Sequence, residues 1–166
     1  IAAKSCIFRI NRDIRFSKDK SPYKTNMGAF ISKGGKKGIH AGYYFHLEPG
    51  NSFVGGGLYM PMPPELAKVR QEIDYNLVSF EKIVKSSVFQ KVYGGLDHSV
   101  EHLLLKVPKG YLPDNPAADY LRLKSFIAFH PLTDAELTDK RLLQKTEKAF
   151  TALQPLVAFL NVAVEE

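Results

Sequence analysis

The residues best suited to chemistry lie in a basic segment near the start of the chain, where Arg9, Arg12 and Arg15 fall within seven positions. Arginine presents a planar fork of N–H donors that matches carboxylate and phosphate oxygens. Three such charges are costly to place together unless something neutralises them. Asp13 can neutralise one, and a bound anion is an economical partner for the others. The same residues could instead form an internal arginine–aspartate network that holds a long loop to a sheet, or a solvated surface.

The positive charge of the chain is concentrated around this segment. Residues 1–40 contain ten Lys or Arg against two Asp, a net charge of +8, whereas the whole chain carries +6. The Ser21-Pro22 step stiffens the segment and can hold its neighbours in a fixed relation. We therefore predict ligand-binding roles for Arg9, Arg12, Asp13, Arg15 and Lys20, and a catalytic role for Tyr23.

A second group of polar residues alternates along residues 40–48. Successive side chains of a strand point to opposite faces, so a strand here would place four polar residues on one face, namely His40, Tyr44, His46 and Glu48. His46 and Glu48 form a candidate acid/base pair, with Tyr44 as a ligand contact. The row is also consistent with an exposed polar face. A metal site has only two or three visible ligands, so we predict none.

Two motifs in the sequence resemble a known family. They are FRxxRDxRFSxDKxPYKT at residues 8–25 and GYYxHLEPGNS at residues 42–52. Their order and spacing are similar to DUF2461, a family of bacterial proteins with some fungal relatives. Members of that family begin with a helical segment containing a Trp-Phe pair, and this chain contains no Trp. The resemblance implies one DUF2461-like domain over residues 1–166, without the family's first helices, and it implies no particular activity.

Periodicity along the chain predicts an α+β fold. Short β-prone runs joined by Gly-rich turns are typical of an antiparallel meander, here at residues 6–10, 25–32, 40–48 and 52–60. Helical spacing starts at Pro64, breaks near Asn76, and returns in a C-terminal helix that begins with a Thr133–Glu136 capping box and is kinked or interrupted at Pro155. Two further strands are predicted, at residues 88–93 and 121–129. We expect the sheet of the first half to pack against helices from the middle and the C-terminus.

Two other motifs suggest structure rather than chemistry. Gly55, Gly56 and Gly57 follow a strand-like run and are predicted to mark a bulge or a close approach of two backbones. His98 and His102 have the four-residue spacing of helical metal ligands. The His-Glu-x-x-His order of zinc peptidases is missing, so a solvated segment is favoured there.

Composition excludes several classes of protein. A chain of 166 residues with 45% hydrophobic and 24% charged residues fits one globular domain and argues against disorder. No apolar run approaches the roughly 20 residues that a membrane-spanning helix needs, and the first residues lack a signal-peptide pattern. The single cysteine, Cys6, excludes an internal disulfide and favours a reducing compartment. We predict a cytoplasmic domain with no cofactor and no membrane partner.

These observations favour a domain that binds a phosphate or carboxylate anion, or an enzyme that acts on a small anionic substrate. The alternative is a non-catalytic interaction domain that binds nucleic acid or a protein partner through its basic N-terminal surface. Phe16 and Tyr23 interleave aromatic rings with the cations there, as single-stranded nucleic-acid binding requires.

Overall fold

The computed structural model describes residues 2–165, which contain one antiparallel sheet of four strands in the order β1-β2-β3-β4. The strands are β1 (Met27–Ser32), β2 (Gly42–Leu47), β3 (Ser52–Leu58) and β4 (Phe126–Leu132). The predicted α+β meander is confirmed. Its first three strands are consecutive in the chain, whereas β4 joins β3 only after a series of helices.

Seven α-helices accompany the sheet within the described residues. They are α1 (Ala3–Cys6), α2 (Pro63–Tyr75), α3 (Leu77–Val84), α4 (Ser87–Tyr93), α5 (Ala118–Leu121), α6 (Asp134–Leu137) and α7 (Leu142–Glu165). Pro63 and Pro64 begin α2, where their missing N–H groups cost nothing. The predicted break near Asn76 is present between α2 and α3.

The core lies between the helices and one face of the sheet, and α7 packs on β3 and β2. The largest fully buried side chains of this core are Ile73, Phe80, Phe89, Leu121, Leu123, Phe126, Leu153, Leu156 and Leu160. From β2, Tyr43 lies against this core, and its ring is 5.0 Å from that of Phe150 on α7. Tyr44 and His46 therefore occupy the other face of the sheet.

The glycine run of β3 is explained by the neighbouring strands. A Cβ atom at Gly55, Gly56 or Gly57 would lie 2.1, 2.1 or 2.0 Å from a backbone carbonyl oxygen of β2 or β4. Such distances are far shorter than van der Waals contact, so only glycine fits. The predicted close approach of backbones is confirmed, and the centre of the sheet carries no side chains at these positions.

One predicted strand is wrong. Residues 88–93 lie in α4, because Ser86 caps the helix by accepting the N–H of Phe89 at 3.2 Å and Gly94 ends it with φ of 70°. Phe89 is buried, and Tyr93, four residues later, packs on the same core. Capping residues and helical spacing thus outweigh the β-propensity of valine and tyrosine.

Three other boundaries differ from the predictions. Thr133 and Glu136 do form a capping box, but it caps the short α6. A second start follows, where Asp139 Oδ1 accepts the N–H of Arg141 at 2.9 Å just before α7. The helix α7 continues through Pro155.

The strand predicted at residues 121–129 starts later, at Phe126, because residues 118–121 are helical. The strand predicted at residues 6–10 is reduced to a single bridge between Ile7 and Ala29.

Candidate functional site

A cleft of about 650 Å³ opens on the sheet face that α7 leaves uncovered. Its floor consists of side chains from all four strands, and its sides come from the turn at residues 36–40 and the segment at residues 59–65. The aromatic residues among the lining are Phe8, Phe30, Tyr44, Phe53, Tyr59 and Phe129. A volume of this size suits a small-molecule ligand.

Tyr44, His46 and Glu48 form a continuous hydrogen-bonded row on β2. His46 Nε2 lies 3.2 Å from Glu48 Oε2, and the Tyr44 hydroxyl lies 3.0 Å from His46 Nδ1. A carboxylate only accepts hydrogen bonds, so Nε2 carries the proton of a neutral His46, and Nδ1 then accepts the Tyr44 O–H. Tyr44 and His46 line the cleft, and Glu48 lies behind them. The three side chains can therefore hold or move a proton at the phenol oxygen.

The surroundings set the ionisation of both ends of this row. Burial raises the pKa of Tyr44 above its usual value, which keeps the phenol protonated. The pKa of Glu48 is held below its usual value by a hydrogen bond from the Asn51 side chain and by His46. Asn51 Nδ2 donates to Glu48 Oε2 at 2.9 Å, and the Ser52 hydroxyl accepts the Glu48 N–H at 2.9 Å. The row thus has an anion at one end and a hydroxyl donor at the other.

The Tyr44 ring is positioned by its neighbours on the same face. Gly28 on β1 lies beside it, and a Cβ there would come within 2.5 Å of the Tyr44 hydroxyl oxygen. Phe8 meets Tyr44 edge-on at 6.3 Å between ring centroids, and Phe53 lies 5.7 Å away. Gly28 therefore makes room for the phenol.

Two lysines bring positive charge to the cleft. Lys36 and Lys37 line it from the turn before β2. Lys36 donates to the Ile7 carbonyl and lies 5.3 Å from the Phe8 ring centroid. Lys37 has no hydrogen bond or ion pair with any residue that the structure describes. Neither ammonium group is neutralised by a carboxylate from residues 2–165, so both are available to an anion.

His40 also lines the cleft, with its two nitrogens in different settings. Nε2 lies 3.0 Å from Glu165 Oε1, which Lys33 also contacts at 2.8 Å. Nδ1 is buried and has no partner among residues 2–165. The ring joins the end of α7 to the turn that carries the lysines, and it lines the same cleft as Tyr44 and His46. His40 precedes β2, which begins at Gly42, so it is not on the strand face where it was predicted.

The predicted arginine cluster forms a separate feature, the basic loop (residues 9–24). Two backbone bonds close this loop, from Arg12 N–H to Pro22 O at 3.0 Å and from Lys24 N–H to Ile10 O at 2.9 Å. The chain enters and leaves it beside β1, where Phe8 N–H donates to Gly28 O. The loop projects into solvent rather than over the cleft.

Both aspartates of the basic loop are paired with arginines of the same loop. Arg15 donates two hydrogen bonds to Asp13, from Nε to Oδ1 at 2.9 Å and from Nη2 to Oδ2 at 2.6 Å. These hydrogen bonds lower the pKa of Asp13. Arg12 pairs with Asp19, whose pKa is lowered to about 2 chiefly by the N–H of Ser21 and by Arg12. Both ion pairs lie within the loop, so they are not the arginine–aspartate network that would hold the loop to the sheet.

The remaining predicted residues of the loop do not reach the cleft. Lys20 donates to the Ile14 carbonyl at 2.8 Å, Arg9 is exposed, and Tyr23 is 60% exposed. None of these three residues lines the cleft, and neither do Arg12, Asp13 and Arg15. The ligand-binding and catalytic roles of the loop residues stay predictions.

His98 and His102, four residues apart, contact different groups. His102 Nδ1 lies 2.6 Å from Asp97 Oδ2, and Ser99 contacts both residues. His98 instead contacts the Leu96 carbonyl. Among residues 2–165 no group of three or more His, Cys, Asp or Glu could hold a metal ion.

A family model described as a conserved hypothetical protein, DUF2461, matches residues 1–159. The chain belongs to the DUF2461 family. Searches among curated proteins and among solved structures found no match to it. In the described part of this DUF2461 chain, no helix is both long and apolar enough to cross a membrane.

The two DUF2461-like motifs thus lie in different places. The first forms the basic loop, and the second runs along β2 and the turn after it, where its last residues hold Glu48 in place. Sequence reasoning missed most of the cleft lining, including Phe53 and Phe129 of the sheet and Met60 and Glu65, which lie after β3 in a proline-rich stretch. Lys36 and Lys37 were not predicted as site residues either, although a turn that precedes a polar strand face was a signal that they border that face.

Proposed function

We propose that this DUF2461 domain binds a small anionic molecule in the cleft, where Tyr44, His46 and Glu48 transfer a proton to or from it. The observation that carries the proposal is the position of His46, bonded on one side to Tyr44 and on the other to Glu48, inside a cleft that two lysines border. Charge and acid/base groups around one space are the usual ingredients of a catalytic site.

The chemistry of the row follows from its geometry. When His46 is doubly protonated, Glu48 stabilises the imidazolium through Nε2. Tyr44 then gives its phenol proton to the ligand, and His46 Nδ1 passes its proton to the phenolate. The Tyr44 O–H bond that breaks in the first transfer is re-formed in the second, when the His46 Nδ1–H bond breaks, and His46 is left neutral. In reverse the row removes a proton from the ligand.

The anion is held by Lys36 and Lys37. A hydrogen bond to a charged group contributes about 1.5–3 kcal/mol, so loss of both lysines should weaken binding at least tenfold. Calorimetry with inorganic phosphate and with benzoate tests this in the double variant Lys36→Gln/Lys37→Gln. The matched control is Lys82→Gln/Lys91→Gln, since both residues are exposed on helices away from the cleft. Equal affinity of the two double variants would remove the lysines from the site.

The proton-transfer role is tested separately. Nitrogen-detected NMR of His46 should show the Nε2–H tautomer in the unliganded protein, and Tyr44→Phe should change the Nδ1 shift because the hydrogen bond is lost. The anion affinity of Tyr44→Phe should stay close to that of the wild type. If Nδ1 instead carries the proton in the neutral ring, His46 donates to Tyr44, and the hydrogen bond between these two residues runs in the direction opposite to the one described.

A second candidate function follows from the basic loop, which we propose as a surface for a nucleic acid or protein partner. Phe16 is 96% exposed and stacks on Arg15, with 5.9 Å from the guanidinium carbon to the ring centroid. An exposed aromatic ring among cations is a combination on which a base of a single strand can stack. Salt titration of polynucleotide binding tests it, since phosphate contacts weaken steeply with salt. Loss of binding in Phe16→Ser, with the cleft lysines intact, would favour this surface.

A further inference from the structure

The floor of the cleft is a connected row of aromatic rings that crosses the sheet. Centroid distances are 6.3 Å from Phe8 to Tyr44, 5.7 Å from Tyr44 to Phe53, and 4.9 Å from Phe53 to Phe129. His46 stacks on Phe53 at 4.7 Å with an interplanar angle of 11°. Successive rings are inclined at 71°, 49° and 67°, so a planar ring can pack on one of them face-on and on its neighbour edge-on. A simple phosphate or carboxylate needs no such row.

The two ends of the row are open to solvent. Phe8 is 38% exposed and Phe129 is 37% exposed, although both are large apolar rings on a sheet face. Gly56 and Gly57 also line the cleft, and their lack of side chains leaves room beside the rings. A planar molecule can therefore enter the cleft beside the rings without displacing a side chain at these positions.

Glu65 supplies a specific polar contact. Glu65 lines the cleft from the first turn of α2, and its Oε2 atom is buried without a hydrogen-bond partner among residues 2–165. A buried acceptor without a donor is unfavourable, so a ligand that brings an N–H group restores the missing bond. The edge of a nucleobase carries such N–H donors.

We propose that the ligand of the cleft is a nucleotide. Its base stacks on the aromatic row, an N–H group of the base donates to Glu65, and its phosphate lies at Lys36 and Lys37. The cleft volume of about 650 Å³ accommodates one nucleotide. This assignment rests on the proposed function of the cleft as an anion site and names the class of anion. The same chemistry is offered by a free mononucleotide and by the end of a single-stranded nucleic acid.

Calorimetry with three probes separates the parts of the assignment. Guanosine monophosphate should bind at least tenfold more tightly than ribose 5-phosphate, because only the first carries a base. Equal affinities would overturn the nucleotide assignment and leave the proposed anion site intact. Guanosine, which has no phosphate, should bind more weakly than the monophosphate. If it binds equally, the base site stands and the proposed anion function fails. If none of the three binds at millimolar concentration, both fail.

Variants of the lining locate the base. Phe53→Leu and Glu65→Leu should each weaken the monophosphate about tenfold and leave ribose 5-phosphate unchanged. Tyr75→Leu and Gln71→Leu are the matched controls, since both side chains are exposed on α2 and neither lines the cleft. The Glu65 variants give a test that does not depend on the floor being intact after Phe53 is replaced. Glu65→Gln, which keeps an acceptor oxygen, should recover part of the affinity lost in Glu65→Leu. Losses equal to those of the controls would overturn the placement of the base.

The source of the nucleotide is settled by competition. A short single-stranded oligonucleotide that displaces the monophosphate from the wild type, but not from the lysine double variant, identifies a strand as the ligand. An oligonucleotide that leaves the bound monophosphate in place identifies a free nucleotide. The two results assign different sources to the same chemistry.

Discussion

Replacing Gly28 by alanine should displace the Tyr44 ring and break its bond to His46. The new Cβ would lie 2.5 Å from the hydroxyl oxygen, 0.9 Å closer than the 3.4 Å at which ordinary contact begins. A shift of that size can lengthen the 3.0 Å bond to His46 to as much as 3.9 Å, beyond hydrogen-bonding range. The lost bond costs about 0.5–1.5 kcal/mol and crowding adds about 1–3 kcal/mol. Alanine recovers about 0.4–1 kcal/mol through the unfolded chain.

We therefore expect Gly28→Ala to destabilise the protein by about 1–3 kcal/mol, measured by urea unfolding. The cause is separated by a double-mutant cycle with Tyr44→Phe, which removes the oxygen that the new methyl group meets. Destabilisation by alanine should shrink in the Tyr44→Phe background, giving a coupling energy of at least about 0.5 kcal/mol. Additive costs, or an unchanged His46 Nδ1 shift in Gly28→Ala, would contradict a steric contact with the phenol.

Two further predictions concern stability. Met60, beside the cleft, has φ of 43°, a left-handed conformation that costs a residue with a side chain about 1–3 kcal/mol. Met60→Gly should therefore raise the free energy of unfolding by about 0.5–2 kcal/mol. Met62→Gly is the control, because Met62 has φ of −64° and glycine should bring no gain there. The Thr133 N–H and Lys145 lower the pKa of Glu136 from 4.5 to about 2. A lowered carboxyl pKa contributes stability above pH 4.5 that is lost as the pH falls toward 2, so Glu136→Gln should flatten the decrease of Tm over that interval, while Glu147→Gln should not. A steeper decrease in Glu136→Gln would exclude this linkage.

The polar row on β2 could be predicted because it depends on local periodicity alone. Once residues 42–47 are extended, alternation places Tyr44 and His46 on one face and Tyr43 on the other, whatever the rest of the chain does. The helix break at Asn76 and the close backbone approach at the glycines of β3 could be predicted because they too depend on local sequence patterns. Local chemistry also allowed two outcomes for Arg12 and Arg15, and the spacing of Asp13 and Asp19 turned out to favour pairing within the loop.

The cleft itself could not be predicted, because its parts are distant in sequence. Glu65 and Phe129 approach Tyr44 only through the pairing of β3 with β4 and the return of the chain into α2. No local pattern records that pairing. Residues 88–93 show the opposite error, in which β-prone residue types were given more weight than the Ser86 and Gly94 caps that decide the helix.

The delayed arrival of β4 has a consequence for the order in which the molecule folds. Strands β1, β2 and β3 are joined by short turns and can pair early, whereas β4 must wait for the chain of residues 59–125 to close a long loop. We therefore expect the hydrogen-bonded row of Tyr44, His46 and Glu48 to form before the cleft that surrounds it. Pulse-labelled hydrogen exchange would then show β2 protected ahead of β4, with competence to bind a ligand appearing only in the last phase of refolding.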